Sequence, residues 1–283
     1  MIHFHTAQGV VEIRELQTIE EMMAAEKIQL AVWGSEITPH PKELLIPVQH
    51  EGGLLAGAFN SQDEMIGLVF GFPTSQANAL HSQILCTVEA WRGQGIGRRL
   101  KWFQRQWCLV RGITLVRWTV DPLRAANAEL NLRHLGATSS TYLPDYYGAM
   151  QGIDAGAPTD RLLVEWHLDG PRVCERVDHP PADHGFPGAG LAFTVTNGKP
   201  DGPRPELDNL QVLLPIPEDF IGLSRSDPGL AMAWRLQTRD LFCRFFSRGY
   251  RITGFTRQGG PAYLLECAGQ DFLAARNDAG KES

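Results

Sequence analysis

Five residues, Gly93-Gln94-Gly95-Ile96-Gly97, constrain this chain more than any other stretch. An apolar run, Ile84-Leu85-Cys86-Thr87-Val88, precedes them. Behind them Ile96, Leu100, Phe103, Trp107 and Val110 recur at four-three-four-three spacing, which is one face of a helix. The unit reads as strand, glycine-rich turn, helix. Glycines at alternate positions let the backbone come close to a ligand. The first turn of the helix offers amides without internal partners and a partial positive charge. Together they predict an anion cradle suited to phosphate, with formal charge added by Arg92, Arg98 and Arg99.

Composition narrows what that cradle serves. The chain has 283 residues, 43% hydrophobic and 20% charged, with a formal net charge of −6. The length suits one large or two modest domains. An acidic chain is poorly suited to wrapping nucleic acid or an anionic membrane. No apolar run reaches membrane-spanning length, and the N-terminus lacks the pattern of a signal peptide. Cys86, Cys108, Cys174, Cys243 and Cys267 are scattered and odd in number, which reads as reduced thiols and a cytoplasmic protein. His3 with His5, and His179 with His184, have metal-like spacing but no supporting carboxylate cluster, so no metal is expected.

Along the chain, Val10–Leu16 reads as a strand, and Thr18 with Glu21 as a capping box opening a helix that Gly34 ends. A shorter helix spans Pro41–His50. Leu54–Phe59 and Met65–Phe72 form a hairpin across Asn60-Ser61-Gln62-Asp63. Leu80–Val88 is the strand before the turn, Gly95–Arg111 the helix after it, and Ile113–Val120 a buried strand. Asp121-Pro122 predicts a helix start, with the helix ending at Gly136. Thr138–Tyr147 is extended, and Arg161–Leu168 is a further strand. From Gly170 to Pro205 prolines and glycines crowd together and predict a linker without regular structure. Leu210–Ile216, a helix capped by Asp227-Pro228 with a face of Leu230, Trp234, Gln237, Leu241 and Phe245, and the strands Tyr250–Thr256 and Ala262–Cys267 follow. Residues from Ala268 onward read as a frayed end.

Neither common phosphate motif fits the turn. The dinucleotide fingerprint wants its third glycine where Arg98 stands, and a P-loop wants Gly-Lys-Ser/Thr. Arg92-Gly93-Gln94-Gly95-Ile96-Gly97 does resemble the acetyl-CoA loop of the GNAT acetyltransferase superfamily, which runs Arg/Gln, two residues, Gly, one residue, Gly/Ala. The element order over about residues 8–169 matches as well. The resemblance implies an α/β (α+β) GNAT fold with a mixed, splayed central sheet. The domains expected are 1–169 for the acetyltransferase, 170–205 for the linker and 206–283 for a smaller C-terminal α/β extension. That extension is either a degenerate half-GNAT repeat or a coincidence of helix-glycine-strand grammar. It is expected to dock on the first domain and to help build the acceptor side or a dimer contact, since members of the family often form homodimers.

The resemblance further implies acetyl transfer from acetyl-CoA to an amine of an unidentified small molecule or protein. The alternative is an acyl-CoA-binding sensor or scaffold without turnover. The cofactor's arm is expected along the backbone edge of Cys86, Thr87 and Val88. Its pyrophosphate is expected on the amides of Gly93, Gln94, Gly95, Ile96, Gly97 and Arg98, with Arg92 close by. A backbone amide at Val88 is implied as the group that polarises the thioester carbonyl. His81 stands where relatives carry a base, and its ordinary pKa of about 6.5 suits that role; a structural strand histidine is the competing reading. The acid's usual tyrosine position holds Leu132, so Tyr146 and Tyr147 become the candidates, although they can equally line the acceptor pocket or pack. Asn127 is a candidate for the cofactor's arm, with Asn131 and His134 on the same helix face.

Overall fold

The structure, a computed structural model, describes residues 1–34, 38–148, 158–178, 182–183 and 185–267. The chain separates into two compact units. One takes Met1–Trp118 and Trp166–Val177, and the other takes the rest of the described residues.

The first unit opens with a hairpin, β1 (Ile2–Thr6) and β2 (Gly9–Glu15), of which the sequence reading anticipates only the second strand. Helix α1 (Ile19–Trp33) starts at the capping box: Thr18 accepts from the Glu21 amide, and the Glu21 carboxylate accepts from the Thr18 amide. Gly34, at φ 92°, closes it. Then come α2 (Lys42–His50), β3 (Leu54–Phe59), β4 (Met65–Pro73), β5 (Ala79–Thr87), α3 (Ile96–Val110) and β6 (Leu115–Val120), whose last two residues pass into the second unit. The strands lie in the order β1-β2-β3-β4-β5-β6. All neighbours are antiparallel except β5 and β6, which run parallel. One face is packed by α1 and α2, around Leu16, Met22, Ile28, Leu45, Leu68, Phe70 and Ile84. Helix α3 packs against β3, β4 and β5.

The face that α3 buries differs from the one its spacing predicts. Ile96, Leu100 and Trp107 are inside, but Val110 is 73% exposed, and Lys101, Gln104 and Cys108 are buried instead. The helix is rotated toward a polar pair that an apolar stripe does not reveal.

In the second unit, Asp121-Pro122 does not open a helix. Its carboxylate accepts from the Leu123 amide and is held by Arg235, and α4 begins at Ala125. After Ala128 the helix widens into a π turn, Glu129–His134, so the α-helical register that places Asn127, Asn131 and His134 on one face does not run through it. The strands β7 (Thr138–Leu143) and β8 (Arg161–His167) follow, β8 ending in the first unit.

The proline- and glycine-rich stretch carries regular structure after all. Helix α5 (Pro171–Asp178) and three short strands, β9 (Gly190–Leu191), β10 (Thr194–Thr196) and β11 (Lys199–Asp201), lie within it. Strand pairing satisfies the backbone there: β10 pairs with β11, and β9 runs parallel to β12 (Gln211–Pro215). Two helices follow, α6 (Phe220–Ser226), capped by Asp219, and α7 (Pro228–Ser247), capped by Asp227. Strands β13 (Tyr250–Thr256) and β14 (Ala262–Cys267) end the described chain, so the segment from Ala268 onward lies outside the described residues.

The second unit's strand order is β8-β7-β13-β14-β12-β9. The hairpins β7–β8 and β13–β14 therefore abut back to back, with Ser139 opposite Ile252. Each hairpin follows a helix that an Asp-Pro pair precedes, so the run helix-strand-strand recurs. One core joins both runs: Leu123, Leu132, Tyr142 and Leu162 pack with Phe193, Trp234, Phe242 and Tyr263. Residues 206–267 thus share their core with residues that begin at Thr119, which differs in place from a boundary drawn near 170.

Candidate functional site

Strand β5 organises the site. It pairs with β4 along its length, and with β6 only from Ala79↔Leu115 to His81↔Arg117. Residues 82–87 therefore have no strand partner on that side among the described residues. The two strands part after His81, and the fork between them opens toward the glycine turn.

The register of β4 and β5 shifts between Phe70/Gly71, with Gln83 the extra residue on β5. This bulge exchanges the two faces of the strand. Before it, Ser82 and Leu80 face α3; after it, Ile84 and Cys86 face α1 and α2. Strict side-chain alternation along the strand therefore breaks at 83. The Cys86 thiol is buried, and burial pushes its pKa up to about 12.

Backbone directions follow from the pairing. The Val88 amide donates to the Ile66 carbonyl, 3.0 Å away, so it is not free to polarise a thioester. By strand alternation Cys86 also points at β4, while Leu85 and Thr87 turn their amides and carbonyls to the fork. Of the three residues expected along the cofactor's arm, Thr87 alone offers its backbone there. Arg92 Nε donates to its carbonyl at 3.3 Å.

The turn after β5 begins with a single 3₁₀ turn, Glu89–Trp91, which uses the amides of Trp91 and Arg92. The amides from Gly93 to Arg98 reach no acceptor among the described residues, and the helix ladder starts with Arg99 donating to Gly95. Gly93 at φ 78° and Gly95 at φ 77° are left-handed, which turns successive amides the same way. Open space surrounds a Cβ built at Gly93, and only the Arg98 guanidinium comes near one at Gly95. Gln94 Oε1 is buried without a partner beside them. Arg98 stands at this cradle, whereas Arg99 lies over the Phe4 ring on β1, 4.2 Å from its centroid. The β1–β2 turn braces the site from outside, through Gln8 on the Ala90 carbonyl.

His81 lies on the α1 and α2 side of the sheet. Its ring stacks on Phe72 at 4.8 Å, and Phe70 and His40 continue the aromatic lining. Burial holds its pKa below the usual histidine value, with Gln83 opposing and Lys101 reinforcing that shift. A histidine that stays neutral and partly open to solvent can accept a proton.

The opposite face of β5 holds what the sequence reading missed. Lys101 on α3 is 2% exposed. Its Nζ lies 2.6 Å from Gln104 Oε1 and 3.2 Å from Ser82 Oγ, and 3.7 Å above the Trp118 ring. A lysine between Leu100 and Trp102 on an otherwise amphipathic helix is the available signal.

Tyr146, Tyr147 and Asn127 belong to the second unit. Tyr147 Oη pairs with Thr119 Oγ1 at 3.0 Å, and its ring meets Tyr146 edge-on. Both tyrosines are about half exposed. Asn127 is exposed on α4. Leu132 is buried in that unit's core. Among the described residues no group of three His, Cys, Asp or Glu is placed to hold a metal ion, and no helix is long and apolar enough to cross a membrane. His179 and His184 lie outside the described residues.

No protein-family model and no curated protein matches the chain. Among solved structures it is similar to the ribosomal-protein-S18-alanine N-acetyltransferase from Escherichia coli, at 18% identity and a TM-score of 0.47, over 56% of this chain and 95% of that chain. It is also similar to aminoglycoside 6'-acetyltransferase type Ii, at 17% identity and 0.47, over 56% and 98%. A third is aminoglycoside 6'-N-acetyltransferase complexed with coenzyme A, at 14% identity and 0.46, over 56% and 98%.

Proposed function

We propose that the chain is an acetyl-CoA-dependent N-acetyltransferase of the GNAT kind, acting on an amine of a small molecule or a protein. One observation carries this reading. Among the described residues, amides from Gly93 to Arg98 stand unengaged at the start of a 15-residue helix, beside a strand whose fork-side edge has no strand partner. The amides and Arg98 would hold a pyrophosphate. The groups of Leu85 and Thr87 that face the fork would pair with the two amides of a pantetheine arm, as an added strand does. They take the part that the resemblance gives to Cys86 and Val88.

Acetyl-CoA supplies the acetyl group as a thioester. The amine must be uncharged to attack it, and neutral His81 is the proposed acceptor of its proton. A thiol of pKa about 8.5 leaves without a dedicated acid at a modest penalty. Isothermal calorimetry with CoA tests the binding half, and release of free thiol from acetyl-CoA with a panel of amines tests the transfer half. A protein that binds no CoA overturns the reading.

A second reading, acyl-CoA binding without turnover, is favoured by Leu132, which fills a core where relatives carry a tyrosine. Binding without thiol release across the whole amine panel would decide for it.

A further inference from the structure

Lys101 is a charged residue without a part in the proposed cofactor binding or proton transfer. It sits in the first unit's interior, and no ion pair to a carboxylate holds it among the described residues. The groups around its Nζ come from every packed element. On β5 they are Ser82 and, one residue earlier on the other face, His81. On α3 they are Gln104 and Cys108, on β6 Trp118, and on β8 Trp166, whose ring centroid is 5.2 Å away. Arg117, next to Trp118, is held by Gln76 at 3.0 Å. His81 and Cys108 are the titratable neighbours, and neither is an anion near neutral pH. Gln104 Nε2 is buried without a partner, so Gln104 turns its oxygen to the lysine at the expense of its own amide.

A buried lysine without a carboxylate is costly. What it gains here is position. Ser82 follows the last rung shared by β5 and β6, and Trp118 follows the opposite member of that rung. Nζ therefore touches both strands where they part.

We propose that Lys101 is a positioning residue for acyl transfer at this fork: a buried cation, tied to β5 through Ser82 and stacked on β6 through Trp118, that sets a positive charge beneath the edge where negative charge develops. The proposal rests on the acyl-transfer reading. Attack on a thioester moves charge onto the carbonyl oxygen and then onto the leaving sulfur, and a fixed cation in a dry site favours both. The indole faces favour the ammonium form, and burial opposes it. Burial prevails and brings the pKa down to about 7. The useful charge is therefore lost as pH rises through neutrality.

The test reads that titration twice. Trp118 emission in the ligand-free protein should shift with a midpoint near pH 7, vanish in Lys101→Met and persist in His81→Ala. The acetyl-transfer profile of the wild type should fall on its alkaline side with the same midpoint. Lys101→Met should lose about tenfold or more in kcat, keep its KM for acetyl-CoA within about twofold, and lack that alkaline limb. An emission midpoint that survives in Lys101→Met, or a variant with wild-type kcat, overturns the proposal. Should the variant not fold, the Nζ resonances of the five lysines in the wild type still decide: one must titrate near pH 7 and coincide with the alkaline limb. A protein that shows the titration but binds no CoA overturns the acyl-transfer reading and not the buried switch.

Discussion

Gly95 shows how much a single residue can carry. Its φ of 77° is one that L side chains rarely adopt, and it caps α3 with no side chain of its own. Gly95→Asp would strain that turn and place a carboxylate among the amides meant for phosphate. CoA affinity by calorimetry should fall more than tenfold, about 1.4 kcal/mol or more, with the far-UV spectrum unchanged. At His81, burial has lowered the pKa, so the acidic limb of turnover should lie below the ordinary histidine range. His81→Ala should lower turnover by about 10²-fold, leave CoA affinity alone and remove that limb. Lys101 makes a separate prediction about stability. Its folded pKa, about 7, is below the ordinary lysine value of 10.5, so between those limits the unfolded chain binds more protons. Stability should therefore rise with pH across that window, and Lys101→Met should flatten the rise in urea unfolding at pH values from about 7 to 10.

Elements with the same sequence signature behave differently. Asp227-Pro228 caps α7, and Asp227 accepts from the Leu230 amide at 2.9 Å. Asp121-Pro122 looks alike, yet Asp121 is bound by both terminal nitrogens of Arg235 at 2.8 Å, a side chain only 3% exposed. Asp227→Ala should cost about 1 kcal/mol, as a lost cap does. Asp121→Ala should cost about 3–5 kcal/mol, because a buried guanidinium is left unpaired. Equal losses in chemical unfolding would contradict that distinction. Strand β5 makes a similar point about its faces, since one bulged residue, Gln83, decides that Ser82 meets α3 while Ile84 meets α1.

At the scale of the whole molecule, the C-terminal half is not a separable tail. Tyr263 Oη donates to the Pro122 carbonyl, Arg239 holds Asp160, and Arg257 holds Glu129, all within the second unit. Deleting residues 171–283 would expose the apolar sides of Leu123, Leu132, Tyr142 and Leu162. The fragment 1–170 is expected to aggregate, as judged by size-exclusion chromatography. A soluble, monomeric and fully active fragment would show that the tail is independent.

What the sequence by itself determined was local. The glycine turn, the capping box at Thr18 and Glu21, the hairpin at Asn60–Asp63 and most strand limits follow from short-range rules of backbone and capping, so they could be read residue by residue. Tertiary structure alone decided the bulge at Gln83, the engagement of the Val88 amide with Ile66, the burial of Lys101 and the partner of Asp121. It also gave β9, β10 and β11 strand partners inside a stretch whose prolines and glycines argued against regular structure. Each of these depends on which distant strand or helix lies alongside. Helical periodicity fixes spacing along α3, but the elements packed against it select which stripe is buried, and here they selected the one that carries a lysine.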